Sequence, residues 1–194
     1  MKHEQLNGVF AEAPPGSGDQ EMPDLWASPS SRLHKVQVKE FERFVTGATD
    51  ASSLLEAAAS EFNLWVSLHK VVQNKGAPGV DGVSVETVLA QSKELLPRLR
   101  RQLLEGSYRP GDIRRVWIPK PGGGERGLGI PNVIDRWVQQ AVLQVLEPIF
   151  EPTFHDSSHG FRRGRGAQTA IAQARKHLES GHTTIVDIDL AKFF

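Results

Sequence analysis

The feature that most constrains the fold is a helical periodicity that starts near residue 51 and returns, with interruptions, up to residue 179. Between residues 54 and 72, apolar side chains recur every three or four positions, which predicts an amphipathic helix of roughly five turns or more, ending near Gly76. Asp135, three residues after a helix start at Asn132, is predicted to complete a capping box. Further helices are predicted over residues 84–106, with a kink or a split at Pro97, over 132–147 and over 167–179.

Glycine and proline separate these helices and define the remaining structure. Two short strands, Ile113–Ile118 and Gly127–Ile130, flank a segment with three consecutive glycines and predict a β-hairpin. The loop Gly76–Gly82 holds three glycines and a proline, so it is either a fixed turn or a loop whose backbone approaches a ligand. Residues 1–50 are rich in Pro, Gly and Ser without a sustained apolar period, and are predicted to be a disordered N-terminal extension.

Composition excludes several classes of protein. The chain has no cysteine, so it forms no disulfide and no thiolate metal site. No apolar run approaches the ~20 residues of a membrane-spanning helix. The start of the chain lacks the apolar stretch of a secretory signal. We therefore expect a soluble protein of the cytoplasm.

The net charge of zero conceals two basic clusters. Residues 98–126 hold eight basic and three acidic side chains, and residues 160–176 hold five basic and no acidic ones. Clustered Lys and Arg favour polyanion binding because each neutralised phosphate releases a counterion. The alternative is that both clusters are solvated faces of a hairpin and a helix.

The predicted hairpin carries a candidate phosphate clamp. Lys120 and Arg126 flank the three glycines, so two cations and bare backbone N–H groups can converge on one anion. Such an arrangement suits a triphosphate. The alternative is an exposed hairpin whose charged ends only maintain solubility.

A second candidate site is the loop that contains Gly160, Phe161, Arg162 and Arg165. Arginines, an aromatic ring and glycines together can grip a sugar–phosphate backbone and stack on bases. The alternative is a basic loop that Phe161 packs onto the core. The histidines of this region do not have the spacing of zinc ligands around a carboxylate.

The third candidate is a predicted strand, Thr183–Leu190, that carries two aspartates. Side chains two apart in a strand point to the same side, so Asp187 and Asp189 are predicted to share a face. A carboxylate in an apolar strand is costly to bury unless it binds a cation. A two-metal site would need a further carboxylate from elsewhere. The alternative is a strand end with a solvated aspartate.

In order along the chain, these segments resemble the N-terminal part of group II intron-encoded reverse transcriptases of the bacterial maturase type. The resemblance covers roughly residues 60–194. The matching segments are Lys75–Gly82, Tyr108–Pro110, Ile118–Pro121, Leu128–Pro131, Asp135–Arg136, Gln139–Ala141, Leu146–Phe150, Gly160–Arg162 and Asp189–Phe194. Gly127, His159 and Arg163 depart from the residues frequent in that family, and Gly127 is expected to loosen the hairpin.

The resemblance implies roles for individual residues. Asp189 matches the first catalytic aspartate, which holds two magnesium ions in the complete active site, and the backbone carbonyl of Leu190 is a further metal ligand. Lys120 and Arg126 match cations that clamp the deoxynucleotide triphosphate. Phe194 matches the aromatic residue that screens the 2′ position of the incoming sugar.

The resemblance also implies a fold and a function. The fold is α+β, with the mostly helical fingers of a right-hand polymerase and their β-hairpin over residues 51–182, and a truncated first palm strand over 183–194. Gly160–Arg162 resembles a template-contacting segment. The function is RNA-directed DNA synthesis with an intron RNA template, a DNA primer or target and deoxynucleotides, together with splicing assistance. The fragment alone is expected to be inactive. The alternative is an RNA-binding maturase module, or a degenerate remnant, without polymerase activity.

Overall fold

A computed structural model describes residues 32–48 and 50–190, and of residues 32–37 only the backbone course. The elements in chain order are α1 (Arg32–Gly47), α2 (Ala51–Ala58), α3 (Glu61–Gln73), α4 (Val85–Ala90), α5 (Ser92–Leu104), β1 (Arg114–Pro119), β2 (Glu125–Ile130), α6 (Val133–Phe150), a 3-10 turn (Glu151–Thr153) and α7 (Ala167–Glu179). The two strands form an antiparallel hairpin. The described part is therefore mixed, mostly helical with one small sheet, as the sequence predicts.

The core forms where α3, α4 and α5 pack around the N-terminal half of α6. Trp137 of α6 is completely buried, and its indole Nε1 donates to the carbonyl of Leu64 at 2.6 Å. Asn63 is buried beside it, and its side-chain amide donates to the carbonyls of Ala58 and Ala141, each at 2.9 Å. These bonds lock α3 onto α6, because unpaired buried polar groups would be costly.

The predicted long helix from residue 51 to Gly76 is wrong in one respect: it is two helices. The break lies at Ala59 and Ser60, where the Ser60 hydroxyl accepts from the backbone N–H of Asn63 at 3.3 Å and caps α3. Serine favours such a cap over a helix interior, because its hydroxyl competes with the helical hydrogen bonds. The apolar period continues across the break, which is why it concealed the boundary.

Two prolines lie inside helices, contrary to the prediction from the sequence. The predicted split of the second helix occurs at Gln91, between α4 and α5, while Pro97 lies inside α5. The third helix continues through Pro148 to Phe150 instead of ending near Glu147. Pro148 lies in the last turn, where the missing N–H removes one helical hydrogen bond without ending the helix.

The predicted disordered extension, residues 1–50, is corrected for its second part. Residues 32–47 form α1, and Val45 of α1 is buried against Ala57, Ala58 and Val145. This apolar contact holds the helix on the body of the chain. Residues 1–31, on which the rest of that prediction falls, lie outside the described residues.

The predicted strand Thr183–Leu190 forms neither a strand nor a helix in the structure. Its apolar side chains are exposed, with Ile185 and Ile188 near four-fifths accessible. A strand requires a hydrogen-bonding neighbour, and none lies beside this segment among residues 32–48 and 50–190. The assignment of residues 183–194 to a first palm strand remains a prediction.

No helix in the described ranges has the length and apolarity to cross a membrane.

Candidate nucleotide and nucleic-acid site

The hairpin brings the two predicted clamp cations to one face. Ile118 pairs with Arg126 in the β-register, and Lys120 follows Ile118 by two positions, so Lys120 and Arg126 share a side. The tip is closed by hydrogen bonds from the N–H of Lys120 to the carbonyl of Gly124 at 3.0 Å, and from the N–H of Gly123 to the carbonyl of Lys120 at 3.1 Å. Both cations are exposed, and their side chains make no ion pair with the part of the chain that the structure describes. They are available to an anion.

The ring of Trp117 lies on the other face of the hairpin. Trp117 is paired with Gly127, and its ring lies over the glycine, where an added Cβ would approach the ring carbons to 3.3 Å. This contact covers backbone that a glycine otherwise leaves bare. The sequence predicts that Gly127 loosens the hairpin, but the ring of Trp117 lies over this glycine and opposes that effect.

Asp135 anchors the base of the hairpin instead of completing a capping box, so that prediction is wrong. The side chain of Asn132 makes no capping bond to α6. The carboxylate of Asp135 accepts from the hydroxyl of Tyr108 and, at 3.1 Å, from the N–H of Gly111. The anchor lies beside a cavity of about 340 Å³. Burial and the neighbouring Asp135 raise the pKa of the Tyr108 phenol, which keeps it a hydrogen-bond donor.

The loop Gly76–Gly82 is seated on the start of α6, as the fixed turn among its two predicted alternatives requires. Arg136 donates to the carbonyl of Ala77 at 2.7 Å, and the side-chain oxygen of Asn132 accepts from the N–H of Asp81 at 3.4 Å. A Cβ on Gly79 would lie 2.6 Å from the Cα of Asn132, so only glycine fits there. One helix start therefore holds both this loop and the hairpin base.

In the basic loop, Arg162 serves the protein's own structure. Its guanidinium forms an ion pair with Glu151 at 2.8 Å and donates to the carbonyls of His155 and Ser158 at 2.9 and 3.0 Å. It also lies over the ring of Phe154, and its side chain is only 7% exposed. The hydrogen bond from Arg162 lowers the pKa of the Glu151 carboxyl. The predicted nucleic-acid contact of Arg162 stays a prediction, but these intramolecular bonds occupy its donors.

Arg165 is also engaged within the loop. It donates to the carbonyl of Asp156 and forms an ion pair with the Asp156 carboxylate at 3.1 Å. The ring of His159 bridges to α7, with its nitrogens 2.9 Å from the Thr169 hydroxyl and 2.6 Å from the Gln173 side-chain oxygen. The loop is therefore pinned at several points.

This pinned loop presents Phe161 to solvent. Phe161 has a backbone φ of +56°, a conformation that is a genuine outlier for a bulky residue. Its side chain is fully exposed, so the alternative in which Phe161 packs the loop onto the core does not describe this structure. A strained backbone that displays an aromatic ring is a feature found at binding sites, where the surrounding bonds maintain the strain.

The aspartates of the last predicted strand lie on an exposed segment. Asp187 and Asp189 are both accessible, and the Asp189 carboxylate accepts from the adjacent N–H of Leu190 at 2.8 Å. Within the described ranges, no three His, Cys, Asp or Glu side chains cluster as a metal site would require. Phe194 and the three residues before it lie outside the described part of the chain.

Several residues that shape the site have a role that the sequence does not predict. Asp135 is predicted only as a capping residue, Tyr108 and Arg136 lie in segments that resemble the family, and Glu151 carries no sequence signal. Their motif positions were a signal, but partners 11 to 59 positions apart in sequence come together only through the fold. Position in a motif does not identify a hydrogen-bond partner.

Sequence comparison relates this chain to reverse transcriptases. Residues 118–194, which contain the end of β1, all of β2, the basic loop and the two aspartates, match the family described as reverse transcriptase (RNA-dependent DNA polymerase). The chain is 43% identical over 129 residues to Protein YkfC of Escherichia coli (strain K12), covering 63% of this chain and 34% of that protein. It is 36% identical over 115 residues to the group II intron-encoded protein LtrA of Lactococcus lactis subsp. cremoris, covering 59% of this chain and 19% of LtrA.

A more distant relative extends the alignment. The putative COX1/OXI3 intron 1 protein of Saccharomyces cerevisiae is 28% identical over 158 residues, covering 80% of this chain and 19% of that protein. These matches confirm the resemblance recognised in the sequence: the chain is similar to group II intron-encoded reverse transcriptases and maturases. It spans about a third of YkfC and about a fifth of LtrA.

Proposed function

We propose that this chain supplies the fingers, and the start of the palm, of an RNA-directed DNA polymerase that acts on group II intron RNA. The observation that carries the proposal is the placement of Lys120 and Arg126 on one face of a glycine-tipped hairpin. The tip of this hairpin and all of β2, with both cations, lie within the segment that matches the reverse transcriptase family. A surface that only bound RNA would not require two cations converging on a turn of bare backbone.

The proposed reaction joins a deoxynucleotide to a DNA primer on an RNA template. The primer 3′-hydroxyl oxygen loses its proton to water and forms a bond to the α-phosphorus, the bond from that phosphorus to the oxygen that bridges it to the β-phosphorus breaks, and pyrophosphate leaves. Lys120 and Arg126 would hold the triphosphate and offset the charge that develops on its oxygens. Phe194 would exclude a ribose 2′-hydroxyl from the site.

The residues present fit the magnesium that the family uses. Asp189 offers a carboxylate and Leu190 a backbone carbonyl, which are the hard oxygen ligands that magnesium takes. Magnesium held there would offset negative charge on the reacting phosphate. Asp189 and Leu190 alone provide few oxygens, so the site is proposed as part of a larger set of ligands.

Template contact is proposed for the loop that contains Gly160, Phe161, Arg162 and Arg165. The exposed ring of Phe161 supports stacking on a base. Arg162 and Arg165 are bound within the loop, so their proposed contribution is to hold Phe161 in place and to lend positive charge.

A second candidate function is an RNA-binding maturase module without synthesis. The two basic clusters favour it, because clustered cations bind intron RNA whether or not a nucleotide is used. The triphosphate clamp discriminates between the two functions, since it has a use only in the polymerase.

Replacing Lys120 or Arg126 with Ala should raise the KM for deoxynucleotides about tenfold, the effect of losing one charge-assisted hydrogen bond. Both side chains are exposed, so the free energy of unfolding should change by less than about 0.5 kcal/mol. Steady-state primer extension and thermal melting in the complete polymerase measure the two effects. Arg100→Ala, an exposed arginine on α5, is the matched control and should leave KM unchanged. A lower melting temperature with unchanged KM would show that the cations serve folding instead.

Phe161→Ala should weaken binding of single-stranded RNA about tenfold, since stacking on one base contributes ~1–3 kcal/mol. The dependence of affinity on salt should not change, because no charge is removed. Filter binding over a salt series measures both quantities. Phe44→Ala, an exposed phenylalanine on α1, serves as the control. Equal affinities for the two variants would remove Phe161 from the proposed contact.

A further inference from the structure

The hairpin that carries Lys120 and Arg126 is attached to the helical body at two places. One attachment is short, since β2 ends at Ile130 and α6 begins three residues later. The other is the longer segment between α5 and β1, which belongs to no helix or strand. Backbone hydrogen bonds from Ser107 and Tyr108 to the carbonyl of Gln102 tie the start of this segment to α5, and side-chain and packing contacts fix it on α6.

Asp135 provides those contacts. Its carboxylate accepts from the Tyr108 hydroxyl and from the Gly111 N–H, so it binds the entering segment at two points. Packing reinforces them, because a Cβ on Gly111 would overlap the side-chain amide of Asn132. The start of α6 thus holds the entering segment on one side and continues directly from β2 on the other.

Burying the Asp135 carboxylate to make this contact lowers the free energy of unfolding. Asp135 is only 6% exposed, and no Lys, Arg or His forms an ion pair with it among residues 32–48 and 50–190. Burial of an unpaired carboxylate opposes folding, and apolar packing at the same place would usually stabilise more. The carboxylate instead fixes the orientation of the entering segment, because it accepts hydrogen bonds from two donors in defined positions.

The orientation of this contact matters because a small rotation at the base of the hairpin produces a large displacement at its tip. β1 has six residues, which extend about 20 Å from the attachment to the tip. A rotation of about 10° at the attachment would therefore move the tip by about 3 Å, whereas a misplacement of ~1 Å can already cost a reaction two orders of magnitude.

We propose that Tyr108 and Asp135 are positioning residues that set the angle of the hairpin and thereby place Lys120 and Arg126 on the nucleotide. The nucleotide part of this inference rests on the function proposed above. The hairpin angle itself does not, and it can be measured without substrate.

The angle is testable in the 194-residue chain because the chain has no native cysteine. Spin labels at Gly122→Cys, where a Cβ meets nothing within 4 Å, and at the exposed Arg100→Cys report the distance from tip to body. Pulsed electron paramagnetic resonance should give a narrow distance distribution for the parent. Tyr108→Phe should broaden it, and Asp135→Asn should broaden it further. Ser67→Ala, which loses a buried hydrogen bond within α3, is the control and should leave it narrow.

The nucleotide part is tested by kinetics in the complete polymerase. Tyr108→Phe should raise the KM for deoxynucleotides about five- to tenfold, consistent with the loss of one hydrogen bond to a charged group, with kcat and RNA affinity unchanged. Combined with Lys120→Ala, its effect should be less than additive, because both changes act through the same clamp.

The outcomes separate the two proposals. An unchanged distance distribution in both Tyr108→Phe and Asp135→Asn would overturn the positioning role, even if Lys120→Ala raised KM. A broadened distribution with no change of KM in Lys120→Ala would support the positioning of the hairpin and overturn its proposed use for nucleotides. Tyr108→Phe is the milder variant and keeps the test valid where Asp135→Asn fails to fold.

Discussion

Asp189→Asn is expected to abolish DNA synthesis in the complete polymerase while RNA binding continues. The substitution keeps the size of the side chain and replaces a carboxylate with a neutral amide, a much poorer ligand for magnesium. Without the metal, the charge on the reacting phosphate is not offset, and the loss should exceed about a thousandfold. RNA binding should persist because the basic clusters and Phe161, which we propose to bind RNA, are left intact by the substitution.

Asp187→Asn is the matched control for this prediction. It makes the same chemical change two residues earlier on the same exposed segment, at a position outside the matching motif. Primer extension and filter binding on one preparation measure both activities. Synthesis retained by Asp189→Asn, or lost equally in Asp187→Asn, would show that Asp189 is not the catalytic ligand.

Trp137→Ala should lower the free energy of unfolding by about 3–5 kcal/mol, a large part of the stability of an ordinary domain. Trp137 is fully buried where α3 and α6 meet, and truncation leaves a cavity and removes the indole hydrogen bond to the Leu64 carbonyl. Trp117→Ala makes the same change on the hairpin, where the ring is 57% exposed, and should cost much less.

Chemical denaturation of the two variants separates burial from residue type. The midpoint should fall strongly for Trp137→Ala and little for Trp117→Ala. Equal losses would mean that the contact between α3 and α6 is not the centre of the core.

The sequence predicts the class of fold because its signals are local. Helical periodicity and a glycine-rich turn between two apolar runs identify the helices and the hairpin without knowledge of distant contacts. The boundaries of the helices are harder to predict from the sequence. Ser60 caps α3 within an unbroken apolar period, and Pro97 and Pro148 are tolerated inside helices that tertiary packing stabilises.

The candidate site was predictable in its chemistry and less so in its geometry. Lys120 and Arg126 are predicted to share a face because strand alternation continues from Ile118, which pairs with Arg126, to Lys120 directly after β1. Arg162 was predicted to face nucleic acid, yet its guanidinium is directed to Glu151 and to loop carbonyls. Composition identifies an arginine as a candidate phosphate ligand, but only the fold shows which acceptors within the protein already bind its guanidinium.

Asp135 illustrates the same limit. From sequence it had the position of a helix-capping residue, and its partners at Tyr108 and Gly111 lie more than twenty positions away. A capping box depends on neighbours in sequence, whereas an anchor between a helix and a hairpin depends on the path of the chain between them.

The most direct test of this account is RNA-templated extension of a DNA primer by the complete polymerase that contains this chain, with deoxynucleotides and magnesium. Extension that requires magnesium and is lost in Asp189→Asn is the predicted result. Binding of the same RNA without any extension would contradict the account and favour the maturase module.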